Sequence, residues 1–565
     1  MIDRAKLDPA LLLILGLGFF LRVWGVSFGL PHLYHADEPI VVNHALAYGL
    51  GDFNPHFFKI PPLVSTLLFG IYGGYFLLGH VLGKFHTAQD FEFLFYRDPS
   101  SFYLLARIIF GVILGTATVT LLHRVVARHF SKPTALLSAL ILAVCFLHVR
   151  DSHYAYVDIP LVLLMTLALG IFWCMADGGG KLRSHVAAGT LIGLATAVKY
   201  NGIMLVIPYL MLSLAGPIRK RVLGFWALAA MAAVAGYAAF NPFSLLDFKF
   251  FWQEIKTQAH SQGGVDWLHP LRYSLVGAMG IPALGFAMAG MAQSLKNFDW
   301  KRASLVLFVL SYYLILCVAG QPYDRYVLPL LPALAFFAAD FTFTLAKTWG
   351  KFRRWGLAGV IVGLTFFPLL KSVLWDRLML SEDTRTLAKS WVEKNIPAGS
   401  RLALDWDFYM PRLAFSPRQL EEKKGEAARG IFAKSQTRKV GYLLSHPEPE
   451  HPGYNLYFLS QDPIAAGRFL FAKPLLPYDL AALKDHAVDY VLVVRIRPGR
   501  GPDGFYDRLS REGKLVAEFN PYKNQSRKFA IDEWALTGGP FLFRELWERK
   551  RNGQILQIYA LQGNR

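Results

Sequence analysis

Two carboxylates stand side by side in Tyr34-His35-Ala36-Asp37-Glu38-Pro39, directly after a long apolar run. An Asp-Glu pair beside a membrane-length segment is costly unless it is solvated or used. It reads either as a solvated loop start, with Glu38 as the charge at a helix N-terminus, or as a general base or electrostatic group held at the membrane surface. Phe58-Lys59-Ile60-Pro61-Pro62 adds a cation, which either snorkels to the interface or contacts a phosphate at headgroup level. The stretch from Arg150-Asp151-Ser152-His153 to Val157-Asp158-Ile159-Pro160 is short, aromatic and doubly acidic. Asp158 sits where a helix begins, as its cap or as a carboxylate facing Asp37 across a cleft. Asp37 and Asp158 could share a divalent cation, although their spacing matches no specific metal motif. Lys199, His260 and Arg325 complete the set. Cations at the ends of several segments can converge on one anionic headgroup, with phosphate the obvious candidate. Arg325 reads equally well as the ion-pair partner of its neighbour Asp324.

These residues are carried by a membrane-type chain. Of 565 residues, 54% are hydrophobic, and apolar runs near 20 residues recur to about residue 375. A single soluble globule and a disordered chain are both excluded. The first run, Pro9 to Phe28, lacks a clear small-residue cleavage site and is read as a retained span. Ten more candidate spans lie near 102–122, 134–149, 159–176, 185–199, 202–215, 222–240, 273–293, 303–319, 326–346 and 356–375. The run 185–215 is divided at Lys199-Tyr200-Asn201-Gly202, because a lysine at mid-bilayer is costly. The connections holding Arg124, Arg128 and Lys132, then Lys181 and Arg183, then Arg219, Lys220 and Arg221, then Lys296, Lys301 and Arg302, then Lys347, Lys351, Arg353 and Arg354 are all basic. They are every second connection, and Arg4 and Lys6 precede the first span. By the positive-inside rule this end and the N-terminus face the cytoplasm. Eleven spans then put the C-terminus outside. One segment, 61–83, is uncharged and long enough to cross. A crossing there would break the basic alternation, so an interfacial or re-entrant helix, kinked at Gly73-Gly74, is expected instead. Span interiors read as mostly free of ionisable groups, with Arg22 snorkelling from the outer half of the first span.

After residue 375 charged residues become frequent. Asp383 to Asn395 reads as an amphipathic helix stopped by Ile396-Pro397-Ala398-Gly399. Leu402–Leu404, Val440–Leu444, Tyr490–Val494 and Ile555–Leu561 read as strands. The expected architecture is therefore a polytopic helical membrane domain, 1–375, followed by an extracytoplasmic α/β domain, 376–565. The three cysteines, Cys145, Cys174 and Cys317, all lie in apolar runs and offer no disulfide framework. The formal charge of +19 is largely that of the basic turns, which set orientation and do not make a nucleic-acid surface.

The Asp-Glu pair after the first span, Lys59 before Pro61, the acidic loop after the third span, Lys199-Tyr200-Asn201-Gly202 and Arg325-Tyr326-Val327-Leu328-Pro329-Leu330-Leu331-Pro332 together resemble one superfamily. It comprises the protein O-mannosyltransferases and the aminoarabinose transferases that modify lipid A, integral-membrane glycosyltransferases of the GT-C fold. The resemblance covers roughly residues 10–375 and implies transfer of a sugar from a polyprenyl phosphate to a lipid, glycan or protein acceptor on the outer face of a bacterial inner membrane. Asp37 matches the family's catalytic Asp, Asp158 its second outer-loop Asp, and Lys59 the lysine that meets the donor phosphate. His260 is a looser match to a functional histidine of relatives. Where some relatives carry a basic residue after the pair, this chain has Pro39-Ile40-Val41-Val42-Asn43, so donor contacts are expected to differ. The Trp-Trp-Asp-Tyr-Gly signature of oligosaccharyltransferases is absent from the sequence.

Two other functions were open on the sequence. A transporter or flippase of lipid-linked sugars requires ionisable groups deep in the bundle. A sensor working through its C-terminal domain leaves the outer-face residues unexplained. Neither the sugar, the acceptor nor a metal requirement is legible in the sequence.

Overall fold

The computed structural model describes residues 8–561 apart from 180, 216–221, 261–263, 320–322, 406–408, 428–432, 447–452, 461–474, 497–503 and 531–541. Arg4, Lys6, Arg219, Lys220 and Arg221 of the predicted basic set lie outside the described residues. The bundle begins with α1 (Pro9–Val23), α2 (Glu38–Tyr48), α3 (Leu63–Val81) and α4 (Ala88–Arg97). α5 (Ser100–Ala106) passes through a π-type turn, Arg107–Ile113, into α6 (Leu114–His129). Then come α7 (Lys132–Val144), α8 (Phe146–Asp151), α9 (Asp158–Cys174), α10 (Leu182–Val198), α11 (Val206–Ser213) and α12 (Val222–Ala238). The short α13 (Phe243–Leu246) leads to α14 (Phe248–His260), α15 (Val276–Lys296), α16 (Trp300–Ala319), α17 (Leu331–Leu345) and α18 (Arg353–Met379).

Among the described residues, seven helical segments are long and apolar enough to cross a membrane, and five shorter apolar helices accompany them. Each predicted span, and 61–83, overlaps one of these helices in position. The expected break at Lys199 is present, between α10 and the 3₁₀ turn Tyr200–Leu205. Small residues bring α10 and α12 together: a Cβ on Gly189 or Gly193 would lie 2.1 Å from a carbonyl oxygen of α12, the close backbone approach typical of membrane helix pairs.

α3 is one unbroken helix, without the kink expected at Gly73-Gly74. Midway along it, Tyr72 Oη donates to the Phe102 carbonyl in the first turn of α5 at 3.0 Å. Its end leads into α4, which meets the C-terminal domain. By length and composition α3 is also one of the helices able to cross a membrane.

Buried charge inside the bundle corrects the expectation of clean span interiors. Arg22 is fully buried and does not snorkel. Its guanidinium donates to the carbonyls of Gly18 and Ala143 at 2.6 and 3.0 Å and meets His148 Nδ1 at 2.7 Å. Arg107, Lys371 and Asp376 are also buried. Such groups persist in a low-dielectric interior only when they are paired or hydrogen-bonded.

The C-terminal domain contains α19 (Thr384–Asn395), α20 (Pro417–Ala427), α21 (Ala433–Ser445), α22 (Leu480–Asp485), α23 (Phe505–Glu512) and α24 (Leu542–Glu548). Its strands are β1 (Arg401–Leu404), β2 (Asn455–Leu459), β3 (Leu475–Leu476), β4 (Tyr490–Val494), β5 (Gly513–Phe519) and β6 (Leu556–Leu561). They form one sheet in the order β3-β2-β1-β4-β6-β5, with β3, β2, β1 and β4 parallel and β6 antiparallel to both its neighbours. Val440–Leu444 is helical, not a strand: it lies in α21, where Val440 is buried and Tyr442 packs on Phe93 of α4. A short apolar run bears either assignment until its partners are known.

Several contacts fasten the domain to the bundle. Leu546 of α24 is buried in the bundle's own core. Across the domain, Arg438 of α21 pairs with Glu92 of α4.

Candidate active site at one end of the bundle

Asp37 is the residue before α2, placed by the chain leaving α1. Its carboxylate is 2.8 Å from the Arg325 guanidinium, which arrives from the turn before α17. Arg325 Nε also lies 3.8 Å from Asp158 Oδ2 at the start of α9. Lys199 Nζ, at the break after α10, donates to Asp158 Oδ1 at 2.7 Å. Four residues from four separate parts of the sequence thus form one row, Asp37–Arg325–Asp158–Lys199, with Asp158 and both cations largely buried. Aromatic rings enclose it. Lys199 lies 4.3 Å over Tyr326, and Arg325 lies 5.2 Å from Tyr156 and 4.9 Å from Tyr323. Arg325 therefore reaches Asp37, while its neighbour Asp324 accepts a hydrogen bond from Ser274 Oγ at 3.0 Å.

Glu38 follows Asp37 in sequence but turns inward. It is fully buried and makes a two-pronged pair with Arg107, both contacts at 2.7 Å. Glu38 also accepts from the Ala155 amide at 2.9 Å, and Arg107 donates to the carbonyls of Val26 and Phe28 at 2.8 and 2.9 Å. The pair joins three loops: the one after α1, the start of α2 and the one before α9. Arg107 opens the π-type turn, a distortion common at functional sites.

Lys59 is half-buried in the loop between α2 and α3. That loop is tied to the Lys199 break, because Tyr200 Oη donates to the Phe58 carbonyl at 2.6 Å. Phe58 packs on Phe250 and Phe251 of α14. His260 ends α14, and its side chain lies outside the described residues.

On the other side of Asp37, a cavity between the bundle and the C-terminal domain is lined by Tyr34, His35, Arg150, Tyr154, Arg325 and Arg385, among others. The His35 ring stacks on Tyr154 with centroids 4.0 Å apart. Burial and the guanidiniums of Arg325, Arg107 and Arg150 hold the His35 imidazole well below its ordinary value, so it is neutral. Burial pushes the Asp151 carboxyl up to about 6, against the pull of Arg150.

Asp37 and Asp158 stand on either side of Arg325. A guanidinium already fills the space between them, and among the described residues no group of three His, Cys, Asp or Glu is placed to hold a metal ion.

Residues 101–244 match the family model described as dolichyl-phosphate-mannose-protein mannosyltransferase. No curated protein matches the chain. Among solved structures, ArnT from Cupriavidus metallidurans bound to undecaprenyl phosphate aligns over 97% of both chains, with TM-score 0.53 and 13% identity. Its apo form aligns over the same shares, with TM-score 0.52 and 12% identity. This chain has the GT-C fold. The apo oligosaccharyltransferase of Archaeoglobus fulgidus is 12% identical, with TM-score 0.48 over 86% of this chain and 69% of that one. The GT-C resemblance read from residues 10–375 is borne out as a fold, and the match to ArnT covers 97% of the chain, the C-terminal domain included.

Of the residues singled out on the sequence, Asp37, Asp158, Lys199 and Arg325 meet directly in this GT-C bundle. Glu38 stands behind them, and Lys59 is linked through Phe58 and Tyr200. Arg107, His35, Arg150 and Arg385 were missed. Arg107 had left a signal, a lone arginine inside a membrane-length apolar run. Arg385 left none, since a charged residue in an extramembrane helix is ordinary.

Proposed function

We propose that the protein is an integral-membrane glycosyltransferase that moves a sugar from a polyprenyl-phosphate carrier to an acceptor hydroxyl. The observation that carries this reading is the Asp37–Arg325–Asp158–Lys199 row at one end of the GT-C bundle. The matched family's description names dolichyl-phosphate mannose, and ArnT has been solved with undecaprenyl phosphate. Both support a lipid-phosphate donor. The alternating basic turns support, by the positive-inside rule, a reading in which the row faces the outer side of a bacterial inner membrane.

Each residue then has a task. The donor's isoprenoid tail stays in lipid while its phosphate reaches the cations Lys59 and Lys199. As the bond between the anomeric carbon and the phosphate oxygen breaks, these ammonium groups stabilise the charge left on the phosphate. The acceptor oxygen forms the new bond to the anomeric carbon, and Asp37 takes its proton. Arg325 orients Asp37 and couples it to Asp158, which in turn holds Lys199. Glu38 and Arg107 do no chemistry and fix the loops that present Asp37.

The test uses vesicles from the protein's own cell membranes, supplied with undecaprenyl-phosphate-linked mannose and aminoarabinose. Asp37→Asn is expected to lower release of undecaprenyl phosphate by about 10²–10⁴-fold, with carrier binding unchanged within about twofold. Lys59→Ala is expected to weaken carrier binding roughly tenfold, equivalent to about 1.4 kcal/mol. Undiminished turnover by Asp37→Asn would overturn the assignment.

A further inference from the structure

The loop that ends at Asp37 is gripped from outside the bundle. Tyr34 stands three residues before Asp37 and is almost fully buried. Its hydroxyl meets Thr386 Oγ1 at 2.8 Å, and the Arg385 guanidinium lies 4.0 Å over its ring. Both partners belong to α19, the first helix of the C-terminal domain.

Arg385 is itself held rigidly. Asp383 accepts from its Nε and Nη2 at 2.8 and 2.7 Å, and also from its backbone amide at 2.8 Å. The start of α19 is anchored in turn, by Thr384 N donating to the Asn552 carbonyl at 3.1 Å. Asn552 N donates to Ser381 Oγ at 3.2 Å.

Within the loop the contacts run on toward Asp37. His35 stacks on Tyr154, and the Asp37 amide donates to His35 Nδ1 at 3.3 Å. Gly29 makes room for the grip. Its φ is +66°, and a Cβ there would lie 2.8 Å from the Tyr34 ring.

We propose that Tyr34 is a positioning residue: through it, Arg385 and Thr386 of the C-terminal domain set the place of Asp37 in the active site. This rests on the transferase reading above. The physical ground is that an aromatic ring fixed by a stacked guanidinium on one side and a hydroxyl at its tip has little freedom. Two residues of loop, His35 and Ala36, then separate it from the reacting carboxylate, where a displacement near 1 Å can cost about a hundredfold in rate. The C-terminal domain thereby acts on the chemistry without touching the donor.

The test measures kcat for release of undecaprenyl phosphate, binding of undecaprenyl phosphate alone, and maleimide labelling of Ala36→Cys in a background lacking the three native cysteines. Tyr34→Ala and Arg385→Ala are each expected to lower kcat by roughly thirtyfold to a hundredfold, with carrier binding within about twofold. Both should speed labelling at position 36 several-fold. Their combination should be no worse than the poorer single variant, because both act on one contact. Arg385→Lys, which keeps a cation over the ring, should recover most of the rate. Gly29→Ala should reproduce the kcat loss without altering either partner.

Multiplying losses in the double variant, or unchanged kcat and labelling in Tyr34→Ala, would overturn the proposal. Should the large variants misfold, Tyr34→Phe and Arg385→Lys decide it: Tyr34→Phe must cost a few-fold in kcat, and no loss there overturns it too. If Asp37→Asn keeps full turnover, the transferase reading is what has failed. If Asp37→Asn is inactive and the Tyr34 variants are not, only the positioning role has failed.

Discussion

The two ends of the bundle use charge in opposite ways. At the basic end the ion pairs are partly exposed. Arg302 reaches both Asp299 and Asp340, and Lys301 and His129 share Asp177. At the other end the pairs join residues far apart in sequence: Glu38 with Arg107 is fully buried and Asp158 with Lys199 largely so, while in Asp37 with Arg325 the carboxylate stays 20% exposed. Exposed pairs contribute little, because solvent already satisfies both partners. Buried pairs cost desolvation of each charge, so breaking one leaves a strongly unfavourable lone ion. Lysine and arginine counts are therefore uninformative until position is known. A cation in a basic turn bears on orientation, whereas a buried cation at the other end is held by a specific carboxylate.

The largest effect that tests this contrast is at Arg107. Arg107→Ala leaves the Glu38 carboxylate fully buried without its counter-ion, and a loss of about 3–5 kcal/mol is expected. Thermal unfolding in detergent should show it, with Asp37 misplaced as a consequence. The double variant Glu38→Gln, Arg107→Met removes both charges and should recover most of that stability. If the double variant were as unstable as the single one, the pair would not be acting as a charge pair.

Much of the bundle was legible in the sequence because membrane spans are long, uniform signals. The division at Lys199 followed from the cost of a buried lysine, and it holds between α10 and the turn after it. What escaped were residues whose role depends on a partner elsewhere. Glu38 reads as half of an acidic pair with Asp37, yet its partner is 69 positions away and faces the opposite direction. Arg22 reads as a snorkelling residue, yet a second helix supplies its carbonyls. Val440–Leu444 carries the apolar pattern of a strand, and only the rings of α4 show why it is helical. Local pattern fixes element length and burial, and the pairing of charges is long-range information that no window of sequence holds.

A middle-sized effect separates the two carboxylates of the row. On the proposed reading Asp158 competes with the donor phosphate for Lys199, whereas Asp37 acts on the acceptor. Asp158→Asn should therefore release Lys199 and tighten binding of undecaprenyl phosphate by about tenfold, roughly 1.4 kcal/mol. Turnover should fall at the same time, because Arg325 and Lys199 lose their common anchor. Titration of the carrier against tryptophan fluorescence measures the first, and release of undecaprenyl phosphate the second. Weaker binding in Asp158→Asn would mean that this carboxylate supports the donor site instead of competing with it.

The smallest effect belongs to the basic end. Arg302 makes a two-pronged contact with Asp340 at 2.9 and 3.1 Å and lies 4.5 Å over Phe130. By geometry alone this resembles the Glu38–Arg107 pair. The difference is solvent, since the side chains of Arg302 and Asp340 remain 28% and 20% exposed, so water can take the place of either partner. Arg302→Ala should cost about 1 kcal/mol or less in thermal unfolding, and the loss should shrink with added salt. Turnover should stay within about twofold of the parent protein, because the proposed reacting groups lie at the other end. Cysteines at Ser131 and Ser400 should still label from opposite sides of the membrane in this variant, since the remaining basic turns keep the orientation. A loss as large as that of Arg107→Ala would show that geometry, and not burial, decides the worth of these pairs, and the contrast between the two ends would fall.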